Sequence, residues 1–479
     1  MMDEQQNMTN RPVNPRRRKR TQIEIFKEAY LPAIIACVAL LLILIFIIGS
    51  ASRAIQNKRS EKDAGIAASQ SLQQEQDRLN AEAAQLISEA NALAAKYSYA
   101  DAIARIDTFT GNIEQFPELS AKRQELATAL DNMVVWDDPG KVLNLSFQVL
   151  IADPNRAFQD ANYASSYNRN FVTTGEFSKI LQQLYDNGYI LVSLDDFLTT
   201  KTTDTGAVIY EAKPMLLPKG KKPLVLTQTQ VNYYYYMVDA DKDGFPNQDG
   251  AGFASRLVLD DNNKITCEMV DSNGKTVTGN FDLVPILDDF VALHPDFSYN
   301  GAKAILAVTG HEGLFGYRTQ SAAADLYGVS MHEQAVSDVS KIVSALRASG
   351  YDIACYTFEN RAYGNMDAAQ IRADLSGWFA EVAPIVGSVD ILVYAQESDI
   401  SEGTGLYTTD SFRALYESGF RYYLGFCTNG TSWSFITDDY VRQGRIMVTG
   451  SNLKNNAGWF SGIFDPASVL DATRAQYFQ

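Results

Sequence analysis

From Leu31 to Ser50 the chain runs for twenty residues without a charge, rich in Ile, Leu, Val and Ala. As a helix this stretch would rise about 30 Å, the thickness of a bilayer's hydrocarbon core, so the pattern predicts a transmembrane helix over 31–51. The basic run Arg16-Arg17-Arg18-Lys19-Arg20 precedes it. The positive-inside rule then puts residues 1–30 in the cytoplasm and the rest outside a single-pass plasma-membrane anchor. Gly49-Ser50-Ala51 is small enough for signal cleavage, but the apolar stretch exceeds an ordinary signal core, which favours a retained anchor.

Beyond the anchor, residues 52–135 carry almost no strand pattern and are dense in Ala, Gln, Glu, Leu and Asn. Leu72, Leu79, Leu86 and Leu93 recur every seven residues, a short coiled-coil seam interrupted by Gln76. Leu86, Ala90, Leu93, Ala102 and Ile106 also fit a tetratricopeptide-like helical hairpin, with its turn at Tyr97-Ser98-Tyr99 and its second helix ending at Phe116-Pro117. A plain helical spacer is the alternative.

From about Trp136 the pattern changes again. Short apolar runs (143–151, 189–194, 223–226, 304–308, 351–356, 389–394 and 420–426) alternate with amphipathic helices, among them 174–187, 332–348 and 367–382. Asp367 is placed to cap the last of these, and Gly188 and Gly350 to stop the first two. Strands alternating with helices predict an α/β fold with a parallel sheet or barrel whose site lies at the strands' C-terminal ends. An insert at about 239–282 looks antiparallel over 256–282, turning at Asp260-Asp261-Asn262-Asn263.

The formal charge is −16, and residues 1–30 hold seven Lys/Arg against four Asp/Glu, leaving about −19 for the remainder. So acidic a body repels phosphate backbones and excludes nucleic acid as a partner. Only three histidines occur, His294, His311 and His332, and a zinc hydrolase usually spends two or three on its metal alone. Cys37, Cys267, Cys355 and Cys427 stand singly. Buried free thiols are the favoured reading, with a Cys355–Cys427 disulfide as the alternative.

Several strings, in order, carry a resemblance: Phe171-Val172-Thr173 with Glu176-Phe177, Leu226-Thr227 leading into Val231-Asn232-Tyr233-Tyr234, and Gly316-Tyr317-Arg318-Thr319. They continue with Gly350-Tyr351-Asp352-Ile353-Ala354, Val382-Ala383-Pro384-Ile385-Val386-Gly387 and Gly419-Phe420-Arg421-Tyr422-Tyr423. Over roughly 140–475 the chain resembles the polysaccharide deacetylase (NodB-homology) family. The resemblance implies a distorted (β/α) barrel in which one Asp and two His hold a divalent metal and a second Asp acts as base. It places the base at Thr229, the metal ligands at Gln230, Tyr356 and Asn360, and a first-strand His at Gln148. The later Tyr-Pro pair becomes Tyr394-Ala395. Hydroxyls are no base near neutral pH and amides bind zinc poorly, so no zinc site and no catalytic cofactor is expected. The expectation is a pseudoenzyme.

Tyr233, Tyr234, Tyr235 and Tyr236, together with Thr357 and Tyr394, are the candidate substrate-binding residues, because flat phenol rings suit stacking on sugars. Packing along a strand end is the alternative. Asp239, Asp241, Asp243, Asn247 and Asp249 follow calcium-loop spacing, with Gly244 at the turn, and are candidate ligands of a structural calcium. The alternative is a solvated acidic turn. His311-Glu312, with Glu359, offers a substitute acid–base set. The leading functional expectation is an anchored, inactive deacetylase-like domain that binds cell-envelope glycan or a partner protein. An active hydrolase with a non-standard site and a purely structural envelope scaffold are the alternatives.

Overall fold

The computed structural model describes residue 23 and residues 26–239, 250–401 and 405–476. The chain divides into two units, Met1–Glu82 and Ala83–Gln479. In the first, a π-helical turn (Phe26–Tyr30) leads into helix α1 (Leu31–Ala94), the one described helix long and apolar enough to cross a membrane. Its apolar residues Leu40 to Ile48 are all exposed, as a lipid-facing segment requires. Past Ser50 the helix continues with short-range polar pairs such as Gln73 to Asp77 (2.9 Å) and Arg78 to Glu75 (2.8 Å). Such exposed pairs contribute only a few tenths of a kcal/mol each.

The second unit begins with the end of α1. Ala83, Leu86 and Ala90 are buried there together with Ala102 and Ile106 of α2 (Tyr99–Ile106) and Leu119 and Leu126 of α3 (Pro117–Asp131). The predicted turn falls where expected, at Tyr97 in the left-handed region (φ 65°). The second helix, however, ends at Ile106. Phe116-Pro117 opens a third helix, because proline is well tolerated at a first helical position where no amide donor is needed. Leu86 is buried within its own chain while Leu72 is 72% exposed, so these residues do not form one free seam.

Seven parallel strands form a closed ring in chain order: β1 (Leu143–Gln148), β2 (Lys222–Thr229), β3 (Ala304–Val308), β4 (Asp352–Cys355), β5 (Ile391–Val393), β6 (Tyr422–Phe426) and β7 (Val441–Met447). Thr229 sits beside Gln148 on one side and Ala307 on the other, and Ile446 beside Leu145 closes the ring. Helices α4 (Thr174–Asp186), α5 (Leu283–Leu293), α6 (Val329–Ala348), α7 (Ala368–Gly377) and α8 (Asp410–Glu417) connect successive strands. The β6–β7 connection has no helix and instead lays Ser434–Ile436 antiparallel on β7. The capping predicted at Asp367 is present as a reciprocal box with Gln370. The insert is a three-stranded antiparallel sheet (Arg256–Leu259, Ile265–Val270, Thr276–Gly279) with Asn263 left-handed in its first turn.

Alternation along the strands sorts the core. Leu145 and Phe147 face outward, the latter edge-on to Phe177 of α4 at 5.0 Å. Inside, Val225, Ile305, Val393 and Leu424 fill the lower barrel, closed beneath by Leu194, Phe197 and Met215. Higher up the lumen is polar. Asn144 donates to Gln443 (2.8 Å), Thr227 donates to Asn144 (3.1 Å) and Arg445 donates to Ser146 (2.8 Å). All four cysteines are free, three of them buried.

Candidate functional site

Among the described residues eleven non-glycines have positive φ, and eight of them lie in the loops that follow β2 to β5: Gln230, Tyr233, Glu312, Phe315, Thr357, Asn360, Gln396 and Glu397. Such conformations cost free energy and persist only where surrounding contacts enforce them. Strain is thus concentrated at the barrel's C-terminal mouth, where barrel sites are built.

The positions that the family resemblance singled out converge at this mouth. Gln148 and Thr229 are register neighbours, and the Thr229 hydroxyl is buried and donates to the Phe147 carbonyl (3.3 Å). The Gln230 backbone N–H donates to the Ala307 carbonyl on the next strand (3.1 Å). The Tyr356 phenol lies against the Gln230 side chain and the Gln396 backbone. Burial raises its pKa, opposed by the Arg445 guanidinium and those two hydrogen-bonding neighbours. The Asn360 carbonyl accepts from Gln396 (2.6 Å), and its side-chain oxygen is buried without a partner. These donors are a hydroxyl, two amides and a neutral phenol. A divalent metal on three protein ligands needs imidazole nitrogens and carboxylates, and this set does not fit one.

Sequence reasoning missed Gln396, Glu397 and Arg445. Arg445 is fully buried in the lumen and donates to Gly425 (2.9 Å), Ser146 and Tyr394 (3.3 Å), all neutral. Its one signal is a charged residue in the polar stretch Val441–Met447, which does not read as a strand.

The tyrosine run does not form one platform. Tyr233 is wholly buried and donates its hydroxyl to Asp282. That carboxyl also accepts from Leu150 N–H (2.9 Å) and Gln228 (2.7 Å), and burial pushes its pKa up to about 6 against those donors. Tyr234 is buried too, and Tyr235 pairs its hydroxyl with that of Tyr327 (2.6 Å). Tyr236 is the least buried member, half-covered and stacked on Tyr167 (centroids 6.2 Å, 12°). It also stacks on Tyr234 (centroids 5.9 Å, 20°) and meets Tyr163, which is 41% exposed, at 5.3 Å. Tyr394 points outward into the core beside Tyr423, and Thr357 is buried with its hydroxyl accepting from Arg361 N–H (2.7 Å). Neither side chain is open to a substrate, because strand alternation and loop packing turn both away.

His311 lies between two carboxylates, its Nδ1 3.3 Å from Glu359 and its Nε2 3.7 Å from Glu312. The Tyr234 ring stands 5.7 Å away. The three residues named as a substitute set are therefore together. His294 caps the end of α5 with its ring between Tyr185 (4.4 Å) and Phe290 (4.7 Å), and His332 faces the Thr319 carbonyl (3.0 Å). Of the candidate calcium ligands, Asp241, Asp243, Asn247 and Asp249 lie outside the described residues, and Asp239 is buried.

No family model matches the chain, and no curated protein matches it. Three solved chains do. One is the Streptococcus pyogenes deacetylase PplD in complex with acetate, 10% identical with a TM-score of 0.33, over 66% of this chain and 95% of that one.

Proposed function

We propose that this is a membrane-anchored, deacetylase-like barrel whose mouth binds cell-envelope glycan without hydrolysing it. The observation that carries this reading is the donor set at the mouth. Thr229, Gln230, Tyr356 and Asn360 supply neutral hydrogen-bonding groups and neither a Lewis acid nor a general base. Amides and phenols can hold sugar hydroxyls and N-acetyl groups, and the exposed Tyr163 ring beside half-buried Tyr236 offers an apolar surface for a ring. The test is titration of the full chain in detergent with N-acetylated chitooligosaccharides. Saturable binding that falls several-fold in Tyr236→Ala supports the reading, because an aromatic face contributes about 0.5–1.5 kcal/mol beyond the area it buries. No binding by either protein favours the envelope scaffold.

One observation favours a second reading, a metal-independent hydrolase. His311 held between Glu359 and Glu312 could relay a proton at the mouth. Acetate release from the same oligosaccharides, lost in His311→Ala, would establish that activity.

A further inference from the structure

Beside the mouth, a separate cleft of about 210 Å³ opens between α6, the loop after β3 and the insert. Its size is below the ~300–1,000 Å³ of pockets for drug-sized ligands, so the space inside suits about one ring. Tyr317 and Tyr327 supply aromatic walls, while Gln334 and Asp338 of α6 supply polar groups. The Gly316 backbone forms part of the wall because it runs against Ser255 and Arg256. A Cβ there would lie 2.1 Å from the Ser255 carbonyl, and the φ of 90° suits glycine alone.

Arg318 also lines this cleft, and its bonding is incomplete. One face lies over the Tyr235 ring at 4.0 Å. Its two amino groups donate to the carbonyls of Glu312 (2.7 Å) and Tyr233 (3.1 Å). A guanidinium has five N–H donors, so three remain unused. No carboxylate among the described residues is within ion-pair distance, whereas neighbouring Arg256 is paired with Glu268 at 2.7 Å. Burial lowers the pKa of Arg318, with Glu312 and Asp239 acting only through space in the other direction. A partly desolvated guanidinium beside an open cavity gains most from a charge-assisted bond to an anion. At the rim, Asp338 already accepts from Gln334 (3.0 Å) and Lys341 (3.0 Å) and keeps acceptor capacity for a sugar hydroxyl.

We propose that this cleft binds one sugar ring bearing a carboxylate or a phosphate, with the anionic group on the unused donors of Arg318 and the hydroxyls on Asp338 and Gln334. The site is distinct from the mouth and does not depend on the glycan reading given above.

The experiment is calorimetric titration of the full chain in detergent with glucuronic acid, glucose 6-phosphate and glucose. At least one of the two acids should bind at least tenfold more tightly than glucose, and the better of the two identifies the anion. Ala335→Phe, which fills the cleft from its half-buried place on the α6 wall, should abolish that binding while leaving the thermal midpoint unchanged. Arg318→Lys should weaken it tenfold or more, and the mouth variant Tyr236→Ala should leave it intact. Equal affinity for glucose, no binding of either acid, or full binding by Ala335→Phe would overturn the proposal.

Discussion

Replacing Asp282 by Asn isolates one buried carboxyl that ties the β1 loop, β2 and the tyrosine run together. Its pKa is pushed up from 3.8 to about 6 because burial outweighs its hydrogen-bond donors. The folded protein therefore holds this proton more tightly than the unfolded chain does. The group's favourable contribution is complete below the unfolded pKa and is lost as pH rises through about 6. A shift of about two units corresponds to ~3 kcal/mol in full, of which about 2 kcal/mol falls between about pH 4.5 and 7.5. Asn has nearly the same shape, keeps the oxygen facing Leu150 and Gln228, and cannot ionise. The assay is urea unfolding of both proteins at the two pH values. The stability of Asp282→Asn relative to wild type should rise by about 2 kcal/mol on going from the lower pH to the higher. Other titrating groups are common to both proteins and cancel. A difference that does not change with pH would show that the carboxyl is solvated or differently paired, and would refute the reasoning.

Other consequences follow from the same physics. Asp352, at the start of β4, is raised to about 6 by burial and then by the carboxylates of Asp195 and Asp390. Asp352→Asn should stabilise the fold by roughly 2 kcal/mol near pH 7.5, with the gain fading toward about pH 4.5, as read from urea midpoints. Arg474 and Glu176 form a buried ion pair (2.5 Å) beneath the N-terminus of α4, so Arg474→Met should cost about 3–5 kcal/mol by stranding the carboxylate. Adding Glu176→Gln should recover part of that loss in the same denaturation assay, because the remaining buried group is then neutral.

Much of the barrel was legible because its strands are plainly apolar. Ala304–Val308 reads Ala-Ile-Leu-Ala-Val, is buried throughout and was bounded correctly. The last strand, Val441–Met447, was missed because Arg442, Gln443 and Arg445 give it a surface-like pattern. Their burial depends on partners distant in sequence: Asp399 and the Tyr407 ring for Arg442, Asn144 for Gln443, and Ser146 for Arg445. No local window contains such pairings. The mouth was half legible for a related reason. Motif order located Gln148, Thr229, Gln230, Tyr356 and Asn360, but Gln396 and Arg445 reach them through closure of the ring. The Tyr233–Tyr236 run read as a platform since four phenols in a row say nothing about direction. Left-handed Tyr233 turns its ring inward to Asp282, and Tyr236 is left only half-buried.

The most direct measurement is metal content together with acetate release for the full chain, after incubation with zinc, cobalt or nickel and dialysis. A mouth furnished with Thr229, Gln230, Tyr356 and Asn360 should retain far less than one ion per chain and release no acetate from acetylated chitooligosaccharides. One tightly held ion per chain, accompanied by turnover, would contradict it.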